Sequence, residues 1–511
     1  MTAYLVGGGI ASLAAATFLI RDAGLDGSQI RILEELHIAG GALDGAGDPD
    51  TGYVSRGTRM LGEETCACLW DLLGSIPTLT DPGTTVKQEI WDFNRTRYTD
   101  AGARLVDADH EILDAASLGL DARDRADLMR ILALPERAIG ARRIDDYFSG
   151  HFFRTRFWAL WRTTFAFQPW SSAIELKRSF LRFAQEFPRL HTLSGVRRTV
   201  LNEYDSIVRP VQQWLTKHGV DFEYGAAVQD VEFEGRRATR IVTAAGGYDL
   251  GPGDYVFVTL GSMTADSTYG DDDTPPELTK NGGFRLWERI AEKAADFGRP
   301  AAFAGNVDQT KFESFTLTMH SPLLLRRIEG KAPGTGGLTT FVDSGWLMSI
   351  VVPHQPYFVG QPDDVFTLWG YGLLPDRVGD HVRKPMAEAT GREILTELVH
   401  QLGFEDDLAE IRRSTRVIPV TMPYVTSPLQ PRHVEDRPLV VPRDARNFAF
   451  LGQYVEVPED VVFTVEYSVR GAMHAVYQLF HIDREIPGVY HALAHPHVAF
   501  EALKAALGAG H

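Results

Sequence analysis

The first 35 residues alternate between apolar runs and short breaks in an order that predicts three elements. "AYLV" (residues 3–6) is an apolar run of strand length, three glycines follow it, and an alanine-rich apolar run continues to about residue 21. This order predicts a strand, a tight turn and a buried helix. "IRILEE" (residues 30–35) predicts a second strand, and the alternation of Ile30 and Ile32 brings Glu34 into phase at its end.

Apolar runs later in the chain predict further strands and helices of the same kind. "RTVLNEYDSIVRPVQQWLTK" has a helix pattern and is followed, after a turn at "KHG", by a strand that carries Val228. "YVFVTLGSMT" (residues 255–264) predicts a buried strand that ends in small polar residues, among them Ser262. "FAFLGQYVEVPED" (residues 448–460) predicts a strand and a turn, after which the apolar spacing predicts a helix of about four turns.

Between these runs lie a helix pattern at "ARDRADLMRILAL" and an unusually aromatic stretch. Residues 147–170 contain ten aromatic side chains, which crowd the predicted helix rather than line one face. The stretch therefore predicts either a core helix or the wall of an apolar pocket, and these two interpretations are compatible. Residues 270–284 are acidic and rich in turn formers, which predicts a surface loop.

The turn after the first strand has the features of a dinucleotide site. Gly7 and Gly9 fill the first two places of the dinucleotide fingerprint, and Ser12 stands where a third glycine or alanine is usual. The glycines allow a tight turn and a close approach of backbone to a pyrophosphate at the helix N-terminus. Glu34, at the end of the second strand, is placed to accept hydrogen bonds from ribose hydroxyls.

The stretch that follows Glu34 favours FAD over NAD as the dinucleotide. "GGALDGAGDPDTGYVSRGTR" (residues 40–59) is a second glycine-rich run that leads to Arg56 and Arg59. In two-domain flavoproteins such a run lies along the pyrophosphate and the isoalloxazine, whereas a simple NAD dehydrogenase more often continues with another regular strand and helix. Arg56 is therefore predicted to contact the cofactor as well.

The order of these stretches predicts an interleaved α/β architecture. The chain returns to the cofactor domain three times, as in the glutathione-reductase-like flavoproteins. We predict an FAD-binding Rossmann domain interleaved with a substrate-binding domain and a mostly helical domain. The predicted segments are the FAD-binding domain at 1–80, 201–265 and 436–485, a substrate-binding and helical aromatic-rich region at 81–200, the substrate-binding domain at 266–435, and a C-terminal helix within 486–511.

Composition and charge narrow the class of protein. The chain has 511 residues, 44% hydrophobic and 23% charged, with a net charge of −17, so nucleic acid is an improbable partner. Cys66 and Cys68 predict neither a disulfide framework nor a metal site, and we predict that both are small buried residues on a helix. The apolar start lacks a basic n-region, and no run has membrane-spanning length, so we expect a soluble cytoplasmic protein.

Taken together, these stretches resemble the oleate hydratases, fatty acid hydratases also called myosin-cross-reactive antigens. The resemblance covers nearly the whole chain in one order. Its motifs are long and unusual: "GGGIASLAAATFLIRDAG", "ILEE", "GGALDGAG", "GYVSRGTR", "CLWDLLGSIP", "TTFAFQPWSSAIELKRSFLRF", "LSGVRRTVLNEYDSIVRP", "FVTLGSMT", "LWGYGLLPDRVGDHVRKPM", "MPYVTSPLQPR" and "GQYVEVPEDVVFTVEYSVRGAM".

The resemblance implies an FAD-dependent hydratase that adds water to a cis double bond of a long unsaturated fatty acid. No net redox change occurs in that reaction, and the flavin orders the site and assists catalysis. At Ala42 this chain departs from the family's usual serine, which removes one hydrogen bond to the cofactor. By match to the family, the residues expected to contact FAD are Ala11, Glu34, Ala42, Val228, Ser262, Thr464 and Ser468.

Two acid–base residues of the family are missing. The family's Arg-Gly-Gly-Arg-Glu is Arg-Gly-Thr-Arg-Met here, so that Met60 replaces the glutamate assigned to the attacking water. Ser179 stands where the family has the tyrosine thought to protonate the alkene. A thioether is a weak acceptor, and a serine hydroxyl is a much poorer acid than a phenol.

The segment expected to bind the substrate carboxylate also differs. The family's Thr-x-Asn-x-Gln-Pro-His becomes Val-Val-Pro-His-Gln-Pro-Tyr at residues 351–357. Only Gln355 and Pro356 are kept, so binding of the head group is rebuilt or different. The residues predicted to bind substrate are His354, Gln355 and Tyr357.

Three hypotheses remain open at the level of sequence. Hydration survives with other groups, for which Glu63 or Glu64 offers a carboxylate and Tyr204 a phenol. Alternatively, the field of the flavin polarises water together with Arg59 and backbone dipoles. In the third hypothesis the fold is kept but the reaction is not, which leaves a flavin oxidoreductase or isomerase acting on an apolar alkene, or a non-catalytic carrier of fatty acid. We favour hydration.

The ends of the chain carry two further expectations. Many relatives have an N-terminal helical extension used in dimer contacts, which is absent here, so we expect a monomer. "VAFEALKAAL" predicts an amphipathic C-terminal helix. In relatives the C-terminal region meets the membrane, and here we expect weak peripheral contact at most.

Overall fold

The computed structural model describes residues 1–280, 282–331 and 336–507. In this part of the chain the strands are β1 (Ala3–Val6), β2 (Ile30–Glu34), β3 (Gly45–Asp48), β4 (Gly52–Ser55), β5 (Leu105–Val106), β6 (Asp221–Tyr224), β7 (Val228–Glu234), β8 (Arg237–Thr243), β9 (Gly246–Asp249), β10 (Tyr255–Thr259), β11 (Thr268–Tyr269), β12 (Phe312–Met319), β13 (Leu338–Phe341), β14 (Met348–Val351), β15 (Phe366–Gly372), β16 (Thr415–Met422) and β17 (Phe448–Leu451).

The α-helices of the same ranges connect and cover these strands. They are α1 (Ile10–Arg21), α2 (Ala67–Leu73), α3 (Val86–Thr96), α4 (Ala122–Ala133), α5 (Glu136–Ile139), α6 (Arg156–Phe165), α7 (Ala173–Phe183), α8 (Arg209–Lys217), α9 (Arg285–Ala291), α10 (Ala301–Ala304), α11 (Val307–Thr310), α12 (Leu323–Lys331), α13 (Gly391–Leu402), α14 (Leu408–Ser414), α15 (Val465–Leu479) and α16 (Pro496–Leu507).

A five-stranded parallel sheet forms the centre of the first layer. Its strand order is β17-β10-β1-β2-β6, so the sheet gathers strands from three separate parts of the chain. Helix α1 contacts β1 and β10 on the sheet and packs against α8 and α15. The antiparallel strands β7, β8 and β9 form a separate three-stranded sheet. The predicted glutathione-reductase-like α/β class is confirmed, whereas the boundaries of the six predicted segments stay a prediction.

A second, mostly antiparallel sheet lies beside the first layer. Its strand order is β11-β16-β12-β15-β14-β13-β5, with β5 and β13 parallel. The hairpin of β3 and β4 joins it to the glycine-rich run, because the backbone N–H of Tyr53 donates to Thr318 Oγ1 at 2.8 Å and that of Ser55 to Thr316 Oγ1 at 3.2 Å. The residues just after β4 are thereby held against the second sheet.

The aromatic stretch forms core in the helical region. Phe157, Trp158 and Trp161 of α6 are at most 1% exposed. The ring of Trp161 lies 5.5 Å from that of Phe157 and 5.0 Å from that of Phe180 in α7, measured between centroids. Of the two interpretations of this stretch, the core helix is confirmed.

A network of buried charges joins this helical region to the turn that precedes α15. The guanidinium of Arg178 bridges Glu136 and Glu456 at 2.7 and 2.6 Å. Glu175 accepts from Arg432 at 2.8 Å and from Arg437 at 2.9 Å. Burial alone would raise the pKa of Glu175, but Arg437 and Arg432 lower it to about 2, so the carboxylate stays charged and paired.

Most of the remaining predicted elements are confirmed, with one shift of a helix start. Cys66 and Cys68 are buried and free, and the described residues of the 270–284 loop form neither helix nor strand. The helix predicted in "RTVLNEYDSIVRPVQQWLTK" begins only at Tyr204, with a π-helical turn. The residues before it are extended: Arg197 forms a β-bridge with Leu61, and the backbone N–H of Arg198 donates to Asn94 Oδ1 at 2.9 Å. Within the described ranges no helix is both long and apolar enough to cross a membrane.

Candidate functional site

The turn between β1 and α1 consists of three glycines, and a side chain is unfavourable at the first two of them. Gly7 has a φ of +92°, which side chains of L residues rarely adopt. A Cβ on Gly8 would lie 2.8 Å from Glu34 Oε2. Gly9 caps α1 without a side chain that could accept from the first turn, so the backbone N–H groups there are available to an anion.

The second glycine-rich run packs directly on this turn. The backbone N–H of Gly40 donates to Gly8 O at 2.9 Å. A Cβ on Gly41 would lie 3.3 Å from the Cα of Gly9. Two bare backbone segments thus face each other at the carboxyl end of β1. This cradle, which side chains would fill, fits the pyrophosphate of a dinucleotide.

Glu34 lies at the edge of the same cradle. Its Oε2 accepts the backbone N–H of Gly8, and its Oε1 accepts that of Leu36 at 2.8 Å. The side chain is buried, and burial raises its pKa in spite of these two backbone donors. The sequence predicts a carboxylate at this position that binds the ribose. In the structure this carboxylate accepts a hydrogen bond from the glycine turn.

Thr259 at the end of β10 is a contact that the sequence analysis missed. A Cβ on Gly7 would lie 3.3 Å from Thr259 Cβ, and one on Gly452 would lie 3.1 Å from Thr259 Cγ2. Its hydroxyl is 3.3 Å from that of Ser12. Thr259 therefore fills the space where the ends of β1, β10 and β17 meet, which only the sheet order reveals.

The other predicted cofactor residues surround this edge of the sheet. Ala11 is buried in the first turn of α1, and Val228 begins β7. Thr464 caps α15, and Gln453 donates to Thr464 O at 2.9 Å and to Ser468 Oγ at 2.8 Å. Ser262 lies just after β10, where its hydroxyl contacts that of Thr264 at 3.3 Å.

Arg56 and Arg59 are both held in place after β4. The guanidinium of Arg56 pairs with Asp44 at 2.8 Å and donates to Ser267 at 2.6 Å. Arg59 donates from its guanidinium to Ala42 O at 2.6 Å. Both contacts return to the second glycine-rich run or to the loop after β10, so the arginines close one side of the cradle.

Immediately beyond Arg59 lies a pocket that we call the Glu203 pocket. It encloses about 290 Å³, including space open to solvent, and lies between the segment after β4, the start of the π-helical turn and the end of β14. The residues that line it are Thr58, Arg198, Thr199, Glu203, Gly336, Val351, Pro353, His354 and Tyr357.

The centre of the pocket is a buried carboxyl with defined partners. Glu203 is 3% exposed; its Oε1 accepts the backbone N–H of Arg59, and its Oε2 accepts the hydroxyl of Tyr357 at 3.5 Å. Burial raises the pKa of Glu203, although the charges of Arg59 and Arg198 oppose the shift. Burial and the charge of Glu203 raise the pKa of Tyr357 well above its ordinary value.

Arg198 borders the same pocket with an unused donor. It is 7% exposed, donates from Nε to Gly336 O at 2.9 Å, and donates from Nη1 to Thr58 Oγ1 and Arg59 O, both at 3.1 Å. Its Nη2 is buried without a hydrogen-bond partner among the described residues. Such an orphan donor at a pocket is a natural site for a water or a ligand oxygen.

The structure separates the residues predicted to carry acid–base chemistry. Met60 is partly buried against the core, and Ser179 is fully buried in α7, where its hydroxyl donates to Leu176 O at 2.7 Å. Glu63 and Glu64 are exposed, and Glu63 pairs with Arg197. Tyr204 is half-buried, and a Cβ on Gly45 would lie 3.4 Å from its Cβ. None of these five side chains lines the Glu203 pocket.

The predicted substrate residues divide into two groups. His354 and Tyr357 line the Glu203 pocket. Gln355 does not; its amide donates to Pro353 O and Thr367 O at 3.0 and 2.9 Å and accepts from Gln361 at 2.8 Å. The amide of Gln355 is therefore already used within its own loop.

A second cavity, larger and mostly apolar, is lined in part by residues next in sequence to those that line the Glu203 pocket. It encloses about 590 Å³, including space open to solvent. Gly337 and Val352 line it, one position after Gly336 and Val351 of the Glu203 pocket. Its other lining residues are Ala101, Gly102, Ala103, Val106, Ile112, Ile328, Lys331, Thr339, Phe341, Ile350, Gln401 and Leu402.

Comparison with known proteins identifies a matching family and two relatives of the chain. The family model described as "MCRA family" matches residues 1–477. The chain is 37% identical over 510 residues to an oleate hydratase of Streptococcus pyogenes serotype M49 (strain NZ131), covering 95% of this chain and 86% of that protein. It is 33% identical over 530 residues to a linoleate hydratase of Lactiplantibacillus plantarum, covering 93% of each.

Solved structures show the same fold at low identity. A triple mutant of putrescine oxidase with redesigned cofactor binding has a TM-score of 0.57 at 14% identity, covering 94% of this chain and 98% of that one. Cyclohexylamine oxidase from Brevibacterium oxydans IH-35A has a TM-score of 0.51 at 12% identity, covering 94% and 98%. The fold thus has distant neighbours among oxidases, but the long sequence match decides the relationship: the chain belongs to the MCRA family.

Proposed function

We propose that this protein is an FAD-dependent hydratase that adds water to a cis double bond of a long-chain unsaturated fatty acid such as oleate. The observation that carries this proposal is the 37% identity to an oleate hydratase along 95% of the chain. A second relative, 33% identical, is a linoleate hydratase. Both names describe addition of water to the double bond of an unsaturated fatty acid, a reaction without net redox change.

The cradle supports FAD as the cofactor. The backbone of Gly7, Gly9 and Gly41 would hold the pyrophosphate, and Glu34 the ribose. Thr464 and Ser468 would meet the ring end, since the N-terminus of α15 favours negative charge there. Bound flavin would supply a planar, polarisable surface that orders the site, while proton movements remain the task of the protein.

The larger cavity supports an acyl ligand. Its lining is mainly alanine and branched or aromatic apolar side chains, so that a hydrocarbon chain gains by burial at about 25 cal/mol per Å². Successive residues at the end of β14 line the cavity (Ile350, Val352) and the Glu203 pocket (Val351, Pro353) in alternation, so the two spaces lie on opposite sides of this segment.

The proposal is tested by isotope incorporation. Purified protein with FAD is incubated under reducing conditions with oleate or linoleate in H₂¹⁸O, and products are analysed by mass spectrometry. A hydroxy fatty acid that carries one solvent oxygen, without stoichiometric loss of reductant, is the expected result. Consumption of NAD(P)H in step with product would instead establish an oxidoreductase.

A non-catalytic fatty-acid carrier is the second candidate function. Met60 and Ser179 at the family's acid–base positions favour it. It requires tight binding of FAD and fatty acid, measured by fluorescence titration, with no labelled product from any alkene of a chain-length and double-bond series. Labelled product at a catalytic rate would rule it out.

Two expectations about partners belong to the same proposal. The C-terminal helix α16 exposes Phe500, Leu503 and Leu507 at spacings of three and four residues, which supports weak peripheral contact with a lipid surface. A monomer is the proposed oligomeric state. Sedimentation with and without anionic vesicles tests both expectations at once.

A further inference from the structure

A glutamate and a tyrosine meet in the Glu203 pocket. These are the two residue types that the family uses for acid–base chemistry, but here they stand at other positions than 60 and 179. Glu203 Oε2 lies 3.5 Å from the hydroxyl of Tyr357. The Oε1 of the same carboxyl holds the backbone N–H of Arg59, which is the residue directly before Met60. The pair is therefore anchored to the segment from which the family's glutamate is absent.

The surrounding backbone fixes the two side chains relative to each other. Asn202 donates to Tyr357 O from both its backbone N–H and its side-chain amide, each at 2.9 Å. Asp205 accepts the backbone N–H of Val359 at 3.0 Å. The segments that carry Glu203 and Tyr357 are thus joined on both sides of the pair, as preorganised acid–base chemistry requires.

Burial and charge suit the two groups to proton transfer. Glu203 and Tyr357 are 3% and 5% exposed. Burial raises the pKa of Glu203 above that of an exposed carboxyl, and the charges of Arg59 and Arg198 oppose the shift. The pKa of Tyr357 is raised as well, mainly by burial, so its phenol keeps its proton at neutral pH.

A place for the attacking water lies beside the pair. The Nη2 of Arg198 is buried at this pocket without a partner among the described residues, and Glu203 is the carboxylate among the lining residues. A water that accepts from Arg198 and donates to Glu203 would satisfy both groups. Its oxygen then keeps a lone pair for the alkene.

We infer that Glu203 and Tyr357 are the acid–base pair of this enzyme and replace the groups lost at positions 60 and 179. This inference rests on the proposed hydration. The phenol of Tyr357 gives its proton to one alkene carbon, the oxygen of water bonds to the other, and the carboxylate of Glu203 takes the proton that the water releases. Glu203 then returns that proton to the phenolate through their hydrogen bond. The sum is the addition of H and OH, and no electron is gained or lost.

The competing use of the pocket is to hold the substrate carboxylate. By resemblance, residues 351–357 belong to the head-group segment. In this chain Val351 and Pro353 offer no donors from their side chains, so a substrate carboxylate would depend on Arg198 and would lie beside the carboxylate of Glu203. Removal of the charge on Glu203 would then strengthen substrate binding, which is opposite to the effect expected for an acid–base group.

The test compares four variants of the FAD-loaded full chain in the H₂¹⁸O assay. Glu203→Gln keeps an acceptor for Arg59 but cannot take a proton, and Tyr357→Phe removes only the hydroxyl. Each is expected to lower kcat at least 100-fold with KM within threefold, since general acid–base groups contribute about 10²–10⁴ in rate. Glu203→Asp, which keeps a carboxyl, should recover part of the loss and shift the acid limb of the pH profile of kcat.

Glu313→Gln is the matched control. It replaces another buried carboxyl with a raised pKa, which lies in β12 and does not line the pocket, so its kcat should stay within twofold of the unsubstituted enzyme. Melting temperature and FAD affinity are measured for every variant. If Glu203→Gln fails to bind FAD, the pH profile of Glu203→Asp decides, and superposition on the unsubstituted profile would overturn the inference.

The remaining outcomes are distinguishable. Unchanged kcat in Glu203→Gln, or a change in KM alone, would overturn the acid–base pair while the hydratase function stands. Absence of labelled product from the unsubstituted enzyme would overturn the proposed function and, with it, this inference.

Discussion

The backbone N–H of Gly8 donates to Oε2 of Glu34, which ties the glycine turn of β1 to the end of β2. The contact leaves no room for a side chain, because a Cβ on Gly8 would lie 2.8 Å from that oxygen. The turn and the acid are therefore one structural unit. A change at the glycine should act on the ribose end of the cofactor site as well as on the pyrophosphate.

Gly8→Ala is expected to weaken FAD binding at least tenfold while the protein stays folded. The added methyl group has to displace the Glu34 carboxylate or the turn, and both are parts of the predicted cofactor site. Titration of apoprotein with FAD, followed by quenching of flavin fluorescence, measures the change. Gly330→Ala is the control, because a Cβ there meets nothing within 4 Å; equal affinities for the two variants would contradict the assignment of the cradle.

Glu313 should make the protein less stable as pH rises. Burial is the main reason why its pKa is raised to about 8, and the charge of Asp376 raises it further. The hydrogen bond from Thr421 and the charge of Lys311 act in the opposite direction. The folded state therefore holds the proton more tightly than the unfolded chain, whose carboxyl has an ordinary pKa near 4.5. The stability contribution is fully present below pH 4.5 and is lost as pH rises toward 8.

Glu313→Gln removes this loss and keeps an acceptor for Thr421. Between pH 5 and 8, the free energy of unfolding should fall by about 3–4 kcal/mol more in the unsubstituted protein than in the variant, because the folded state keeps the proton over most of this range and each pH unit is then worth about 1.4 kcal/mol. Urea unfolding at a series of pH values gives the comparison. Parallel curves would show that Glu313 does not hold a proton at neutral pH.

Removal of one partner from the buried pair of Glu175 and Arg432 should strongly destabilise the protein. Both side chains are 0% exposed. Arg432→Met leaves the carboxylate of Glu175 buried with fewer charges around it, and a loss of about 3–5 kcal/mol is expected in urea unfolding. Adding Glu175→Gln to Arg432→Met should recover part of that loss, since the uncompensated charge is gone.

An exposed pair serves as the control for that series. Arg95 and Asp92 are 71% and 45% exposed, so Arg95→Met should change the free energy of unfolding by less than about 1 kcal/mol. Similar losses in the two single variants would mean that burial does not determine the value of these pairs.

Local patterns were sufficient to predict the cofactor half of the fold. The apolar run at residues 3–6, the glycines and the alternation of Ile30 and Ile32 are short-range features, and the structure has β1, α1 and β2 where they were expected. The helix α15 followed from its apolar spacing in the same way. Such elements are encoded within a dozen or so neighbouring residues, so the sequence alone reveals them.

The centre of the proposed active site could not be found in this way. Glu203 is next to Tyr204, which the sequence analysis chose as a phenol, and nothing in "NEYDS" distinguishes a buried acid from a solvated one. Its importance comes from Arg59, 144 positions earlier, and Tyr357, 154 positions later. Thr259 was missed for the same reason, since its contacts with Gly7 and Gly452 exist only once three strands are in register.

Position 60, where the family has a glutamate and this chain has Met60, lies close in sequence to a backbone contact of Glu203. Because Arg59 donates its backbone N–H to Glu203, a side chain at position 60 starts from the next residue of the same short segment. Met60 packs against the core and does not line the pocket, so a glutamate there has to turn away from the core to bring its carboxyl to the pocket. In a Glu203→Gln background, Met60→Glu is therefore expected to raise kcat at least tenfold.

Met60→Gln in the same background is the matched control, because it has nearly the same shape as the glutamate but cannot accept a proton. Both double variants are compared by initial rates of hydroxy fatty acid formation at saturating substrate, after their FAD content has been equalised. Recovery by glutamate and not by glutamine would show that one water is reachable from both positions, since a proton acceptor is all that differs. Equal rates in the two would show that the side chain at position 60 lies too far from the reacting water to replace Glu203.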